Sequence, residues 1–302
     1  MADGSDPTVI LADDFSNDGV WYATDSDHVG CPASGGNVGS GELHGPNDGW
    51  KGTIFGFGCP ANCIANAFQG NKYAYSTGER DTVGSSVQQG YAAWHYFGPT
   101  FPPSARTTYE EIYHRFYIKF LTGYDFGHEK IIAYHQDTSI DTQIGFFHSP
   151  DGGTKFKFNA VERGSGEQGP TSWLDQNQGN DLIWEVNKFY YIEVRIKLDT
   201  SFGARNGIVQ VWGDDCGTDG LTDPGSGTLR LSYDDVPLRR SNDLALGIVY
   251  HEHWLPTDPE QHRGKGTCHV ANVVVRTQRV GPLNFNGAPI KQARHHYAMM
   301  QS

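Results

Sequence analysis

The sequence is poor in charge, in methionine and in helical patterning, and each scarcity removes a class of protein. Only 19% of its 302 residues are charged and three are methionine. No amphipathic stripe of about ten residues or more occurs before the C-terminal tail, so helices are not expected to cover a parallel sheet. No apolar run reaches the length of about 18 residues that a membrane-spanning helix needs, so no membrane insertion is expected. Basic residues are outnumbered, 23 against 35 acidic, for a net charge of -12. That argues against nucleic acid as the main partner, because phosphate binding needs a clustered basic surface. It leaves room for an anionic polysaccharide, since one groove can be basic on an otherwise acidic molecule. The first seven residues are polar and acidic and lack the charged and apolar parts of a secretory signal. The expectation is an extracellular or virion-associated protein, either relieved of its signal or exported by another route.

What is abundant is glycine and ring-bearing residues: 38 Gly, 15 Pro and 13% aromatics. This mixture suits many short strands joined by turns and is too aromatic for a disordered chain. Strands are predicted at Val9–Leu11, Ile54–Phe57, Lys72–Tyr75, Tyr91–Phe97, Glu129–Gln136, Gln143–Phe147, Lys155–Val161, Phe189–Leu198, Ile208–Trp212, Leu229–Ser232, Leu244–His251 and His269–Thr277. No repeat of fixed spacing is visible, which disfavours a propeller or a β-helix. The expected fold is all-β, a two-sheet antiparallel jelly-roll sandwich with long loops. Residues 1–90 are assigned as a first strand and Gly-rich loops of the same domain, 91–283 as the jelly-roll core, and 284–302 as a C-terminal arm.

The strongest strand runs from Tyr109 to Lys119, with Phe120 just beyond it. Alternation places Ile112, His114, Phe116, Ile118 and Phe120 on one face and Glu111, Tyr113, Arg115, Tyr117 and Lys119 on the other. The first face is core. The second mixes tyrosines with a carboxylate and two cations, a combination able to stack on sugar rings and hydrogen-bond their hydroxyls. Five cysteines, Cys31, Cys59, Cys63, Cys216 and Cys268, leave at least one thiol unpaired. Cys59 and Cys63 are spaced for a small local disulfide, with buried free thiols as the alternative.

Several segments carry a resemblance. Tyr113-His-Arg-Phe-Tyr-Ile-Lys-Phe, Lys188-Phe-Tyr-Tyr-Ile-Glu-Val-Arg-Ile-Lys, Gly207-Ile-Val-Gln-Val-Trp and Val270-Ala-Asn-Val-Val-Val with Val280-Gly-Pro resemble the concanavalin A-like lectin and glucanase jelly roll. Within it the look is closest to polysaccharide lyase-like proteins. The resemblance covers roughly residues 90–283 and implies two curved sheets with a concave face that binds an extended glycan. It also implies two catalytic patterns that can be sought. Hydrolases of this fold use Glu-x-Asp-x-x-Glu on one strand to bring paired carboxylates together, and no such run occurs here. Alginate lyase-like members use a Gln-Ile-His triplet and a strand ending Gly-Val-Tyr. Here the corresponding stretches are Gln143-Ile144-Gly145, without the His, and Gly247-Ile-Val-Tyr250, with one extra residue that sends Tyr250 to the other face relative to Gly247.

A lyase needs a cation or amide to neutralise a uronate carboxylate and a His or Tyr to move the C5 proton. Arg115, Gln143, Tyr250 and His251 are the candidates if the chain is an enzyme. The candidate glycan-binding set is Glu111, Tyr113, Arg115, Tyr117, Lys119, His135, His251 and His253. His251 and His253 share a face at strand spacing and sit in the densest titratable cluster. The acidic turn with Asp13, Asp14 and Asp18 offers oxygen ligands, so the cofactor expectation is none or one structural calcium. Asp214, Asp215 and Asp219 form a second such turn. A polar start and a tail ending His-His-Tyr-Ala-Met-Met-Gln-Ser would need neighbours to order them, which points to a homo-oligomer or larger assembly through the termini. The expected partner is a polysaccharide or surface glycan. The function expected first is a glycan-recognising, lectin-like, non-catalytic subunit of an extracellular or viral assembly, because no complete catalytic set is found; the alternative is a polysaccharide lyase cleaving a uronate polymer by β-elimination.

Overall fold

The computed structural model describes residues 8–13, 22–23, 43–44, 50–55, 62–70, 72–76, 89–96, 108–124, 130–136, 143–147, 155–156, 159–163, 182–239, 241–255 and 267–283. Among them the only regular elements are strands: β1 (Val9–Asp13), β2 (Tyr22–Ala23), β3 (Leu43–His44), β4 (Trp50–Phe55), β5 (Asn62–Phe68), β6 (Lys72–Ser76), β7 (Gln89–Tyr96), β8 (Glu111–Phe120) and β9 (Lys130–Gln136). They continue with β10 (Gln143–Phe147), β11 (Lys155–Phe156), β12 (Asn159–Arg163), β13 (Leu182–Ile183), β14 (Phe189–Lys197), β15 (Gly207–Asp215), β16 (Leu229–Val236), β17 (Leu246–Leu255) and β18 (Cys268–Arg276). The stretch expected as one strand over Lys155–Val161 is two, β11 and β12, and these join different sheets.

Two sheets make the sandwich. The larger has eight strands in the order β16-β15-β14-β8-β18-β6-β5, with β1 also beside β18; the smaller has six, β12-β10-β9-β17-β7-β4. Strand β18 serves two partners along one edge, pairing Val270 with Tyr75 of β6 and Val274 with Ala12 of β1. The handover lies at Asn272, which takes a φ of 47° in the left-handed region. An asparagine tolerates that conformation better than a branched residue would. Strands from the first ninety residues therefore belong to both sheets.

The shared core lies between the sheets. Ile112, Phe116, Ile118 and Phe120 of β8 join Ile192, Val194 and Ile196 of β14, and they meet Ile132, Tyr134, Ile144 and Val249 from the smaller sheet. The β8 face expected as core is therefore core. Each such side chain contributes roughly 1.5–3 kcal/mol by leaving water. His114 lies in this layer too, its Nδ1 2.8 Å from the Tyr134 hydroxyl.

The far face of the larger sheet is also buried, and this departs from the open surface expected of it. Phe68, Tyr117, Phe189, Tyr191, Trp212, Cys216, Ala271 and Leu283 form a second apolar cluster there. Phe68 packs on the Tyr117 and Phe189 rings at centroid distances of 4.7 and 4.9 Å. Gly220 closes over it at a φ of 77°, where any β-carbon would run into the Phe68 ring. Only glycine combines that backbone with that approach.

Candidate functional site

The face of β8 that mixes tyrosine with charge turns out to hold the protein's own chain. Tyr117 is fully buried and Arg115 only 4% exposed, so neither can meet a sugar in this structure. What covers them is the segment after β18. Glu193, opposite Arg115 in the register, accepts hydrogen bonds from the amides of Val280 (2.6 Å) and Gly281 (3.0 Å). The Tyr117 hydroxyl accepts from the amide of Leu283 at 2.8 Å, and Arg115 donates to Asn272 and to the Gly281 carbonyl. Tyr191 donates to Glu193 as well. Burial lowers the Arg115 pKa and raises that of Tyr117. Arg115 is thus removed from both the catalytic and the glycan-binding sets, and Tyr117 from the latter.

The remaining members of that face are engaged by neighbouring groups of the protein itself. Glu111 accepts from Arg195 Nε at 2.8 Å and from the Tyr113 hydroxyl at 3.2 Å. Arg195 lies 5.5 Å from the Tyr113 ring centroid. Lys119 donates to the Thr218 carbonyl at 2.8 Å and stands 5.1 Å over the Phe189 ring. Partial burial draws the Lys119 pKa down.

His251 is a second correction. It points into the core, 5% exposed, with its ring 5.0 Å from that of His114 and 5.1 Å from Phe116. Burial drives its pKa down to about 3, so the ring is neutral and out of reach of substrate. His253 lies opposite Tyr91 in the register, two places along from His251. The cation turn of Asp13, Asp14 and Asp18 falls outside the residues with described side chains. In the second acidic turn, Asp214 accepts from the Thr228 amide and from Arg230, Asp215 from the Gly217 amide and Asp219 from the Leu221 amide. Those carboxylates cap turns, which accounts for their density without an ion. Among the described residues no group of three or more His, Cys, Asp or Glu is arranged for a metal. Cys216 is a buried free thiol and Cys268 is buried as well, whereas the candidate Cys59–Cys63 pair lies outside the described side chains.

The polar positions that do converge are on the smaller sheet, on the face away from the core. Tyr134 and Ile132 of β9 face inward, so the alternate positions, 133 and 135, belong to the opposite face. Directly opposed residues of an antiparallel pair share a face. One row then reads Arg163, Gln143, His135, Ile248, Tyr96 across β12, β10, β9, β17 and β7. The next row on the same face reads Val161, Gly145, Ala133, Tyr250, Trp94, Lys51, reaching the edge strand β4. His135 is 3% exposed, at the floor of this face.

In this register His135 is the direct partner of Gln143. The extra residue before Tyr250 is absorbed by a bulge, where β17 advances from Leu246 to Ile248 while β9 moves only from Gln136 to His135. A bulge sets two residues against one and so restores the facing of the residues beyond it. Arg163, Trp94, Tyr96 and Lys51 were not singled out from the sequence, because the register that aligns them joins strands far apart in the chain.

The class so defined is a two-sheet antiparallel jelly-roll sandwich with a polar row on its smaller sheet. No protein-family model matches the sequence, and no curated protein matches it either. Among solved structures the chain is similar to an endo-β-1,4-glucuronan lyase from the fungus Trichoderma reesei, at 11% identity and a TM-score of 0.48, over 72% of this chain and 87% of that one. It is also similar to the marine PL-14 alginate lyase from Aplysia kurodai, at 10% identity and 0.46, over 72% and 87%. A third is the catalytic domain of a glycoside hydrolase family 131 protein from Coprinopsis cinerea, at 11% identity and 0.44, over 80% and 89%. Likeness at this level concerns general architecture, so the chemistry rests on the residues themselves.

Proposed function

We propose that the chain is a polysaccharide lyase that cleaves a uronate-containing polymer by β-elimination on the outer face of its smaller sheet. The observation that carries this reading is the register row Arg163, Gln143, His135 with Tyr250 in the adjacent row. Neighbouring strands are about 4.8 Å apart, so Gln143, His135 and Tyr250, on three adjacent strands, span about 10 Å, and Arg163 lies one strand beyond Gln143. A guanidinium and an amide suit the uronate carboxylate, whose neutralisation acidifies the C5 hydrogen. Tyr250 supplies base and acid in turn, as phenolate and then phenol, while His135, 3% exposed, stays beneath the row. The base takes the C5 proton, the C5–H electron pair becomes the C4–C5 double bond, the C4–O bond breaks, and the departing glycosidic oxygen takes a proton from the acid.

The test is incubation with alginate, glucuronan and other uronate polymers while following the ultraviolet absorbance of the new conjugated double bond. Arg163→Ala, Gln143→Ala and Tyr250→Phe should each slow the reaction by about 10²-fold or more while the protein stays folded. Flat traces for the parent protein across the panel would overturn the reading. Binding of a polymer that stays intact would instead identify a lectin-like, non-catalytic subunit. The same reading has the protein work outside its cell or on a virus particle, assembled through its termini. A strictly monomeric species in size-exclusion chromatography would remove the assembly.

A further inference from the structure

The segment after β18, residues 277–283, crosses the outer face of the larger sheet in a definite direction. The amides of Val280 and Gly281 meet Glu193, and the amide of Leu283 meets the Tyr117 hydroxyl. Glu193 is opposite Arg115, so the segment advances along β8 from the level of Arg115 to that of Tyr117. The next level on that face holds Lys119 and its register partner His269 of β18. His269 is buried, and its Nδ1 has no hydrogen-bond partner among the described residues. The main chain of a segment passing over it would supply one.

Beyond Lys119 stands a cluster of turns, which it joins by donating to the Thr218 carbonyl. Lys188 bridges Glu185 and Asp215 there at 3.0 Å each, and the Thr228 amide donates to Asp214. Four large apolar side chains are exposed among the described residues, and three of them, Val186, Leu221 and Leu229, lie in these turns or at their border. Exposed carboxylates of Glu185, Asp219 and Asp223 stand in the same turns. Leu221 follows Gly220, which closes on Phe68, and Phe68 shares its apolar cluster with Leu283. The sequence that continues from Leu283 therefore starts beside this patch. Residues 284–302 contain no Asp or Glu; they carry Lys291 and Arg294 among apolar residues such as Phe285, Ile290 and Tyr297. On a chain whose net charge is -12, this is a basic apolar segment directed at an acidic apolar patch.

We propose that residues 284–302 dock in cis on the patch of Val186, Leu221 and Leu229, with Lys291 and Arg294 set against the surrounding carboxylates. Apolar burial supplies the attraction and the charges supply orientation. Attachment through Leu283 gives the segment an effective concentration of about millimolar, so modest contacts suffice. An arm held on its own body leaves assembly to the N-terminal segment.

Trypsin tests the docking directly, because it cuts after Lys291 and Arg294. Cleavage of the full-length chain at these two bonds, followed by mass spectrometry, should be about ten-fold slower than in a synthetic peptide of residues 284–302. The double variant Val186→Ser, Leu221→Ser should recover most of the peptide rate. Asp223→Lys should speed cleavage by a few-fold at low salt, and its difference from the parent should shrink at about 0.5 M salt. The substituted side chains are exposed, so parent-like thermal melting is expected and shows that each variant is folded. Cleavage of the parent at the peptide rate would overturn the docking, as would protection that the folded variants leave unchanged. Protection that fades when the protein is diluted by about a hundred-fold would put the segment on a second copy and overturn docking in cis.

Discussion

At the scale of single residues, the core histidines set a pH dependence whose sign comes from burial. His251 is held neutral with a pKa of about 3 and His269 with one of about 4, the latter helped downward by Lys119. His114 is lowered well below its usual value, by burial first and then by His251 and Arg115. In the unfolded chain each would titrate near about 6.5. Between that value and the folded value the unfolded state binds the extra proton, so stability is lost as pH falls. The slope approaches about 1.4 kcal/mol per pH unit for each group. Denaturation at pH 7 and pH 5 should show a marked loss for the parent, and His251→Phe should show a smaller one; equal losses would mean that His251 is already charged in the fold.

Single residues were also where sequence reading was least reliable. Glu111, Tyr113, Arg115, Tyr117 and Lys119 alternate as a sugar-binding face would. Alternation tells which side of the sheet a residue occupies, but not what lies on that side. Tyr117 and Arg115 are covered by a segment more than 160 residues later, reached through the amide of Leu283 and the carbonyl of Gly281. The only trace of this in the sequence was Val280-Gly-Pro, whose glycine takes a φ of 72°.

At the scale of elements, the strap from 277 to 283 and strand β1 are each held by a few identifiable contacts. Glu193 is fully buried and takes two consecutive amides of the strap. Glu193→Gln should cost about 1–3 kcal/mol, because a charged acceptor is replaced by a neutral one in a buried network. Hydrogen exchange at the amides of residues 280–283 should speed up selectively, and uniform exchange across the sheet would argue against a local clamp. Strand β1 covers the edge of β18 from Val273 to Arg276, where Arg276 also donates to the Thr8 hydroxyl at 2.7 Å. Removing residues 1–13 should lower the melting temperature by several degrees and promote aggregation, since it leaves an apolar edge unpaired. Light scattering on heating checks this; an unchanged profile would show that β1 is dispensable.

Most of the long strands were legible in the sequence, and Gln143–Phe147 has the bounds expected of it, but β5 (Asn62–Phe68) was not foreseen. Element ends were less so. Leu246–Leu255 extends four residues past its expected end at His251, and the bulge near its start decides the facing of Tyr250. A bulge has little local signature when, as here, its glycine is one of 38.

At the scale of the molecule, the proposed lyase is acidic and so must bind an acidic polymer by a local field. With the net charge at -12, affinity for a uronate polymer should fall as salt is raised from about 0.05 to about 0.2 M, because the attraction to Arg163 is screened. Affinity that rises with salt would mean that repulsion from the whole molecule dominates and that the face is not basic enough for the proposed partner.

The sequence by itself determined that this chain is all-β and that Ile112, Phe116, Ile118 and Phe120 line a core. Those properties depend on alternation and turn chemistry, which are local along the chain. Only the tertiary structure decided that the tyrosine-rich face of β8 is sealed, that His251 points inward, and that Arg163, Gln143, His135 and Tyr250 fall on one face. Those depend on register between strands separated by tens to more than a hundred residues, and register is set by how the apolar faces of both sheets close on each other.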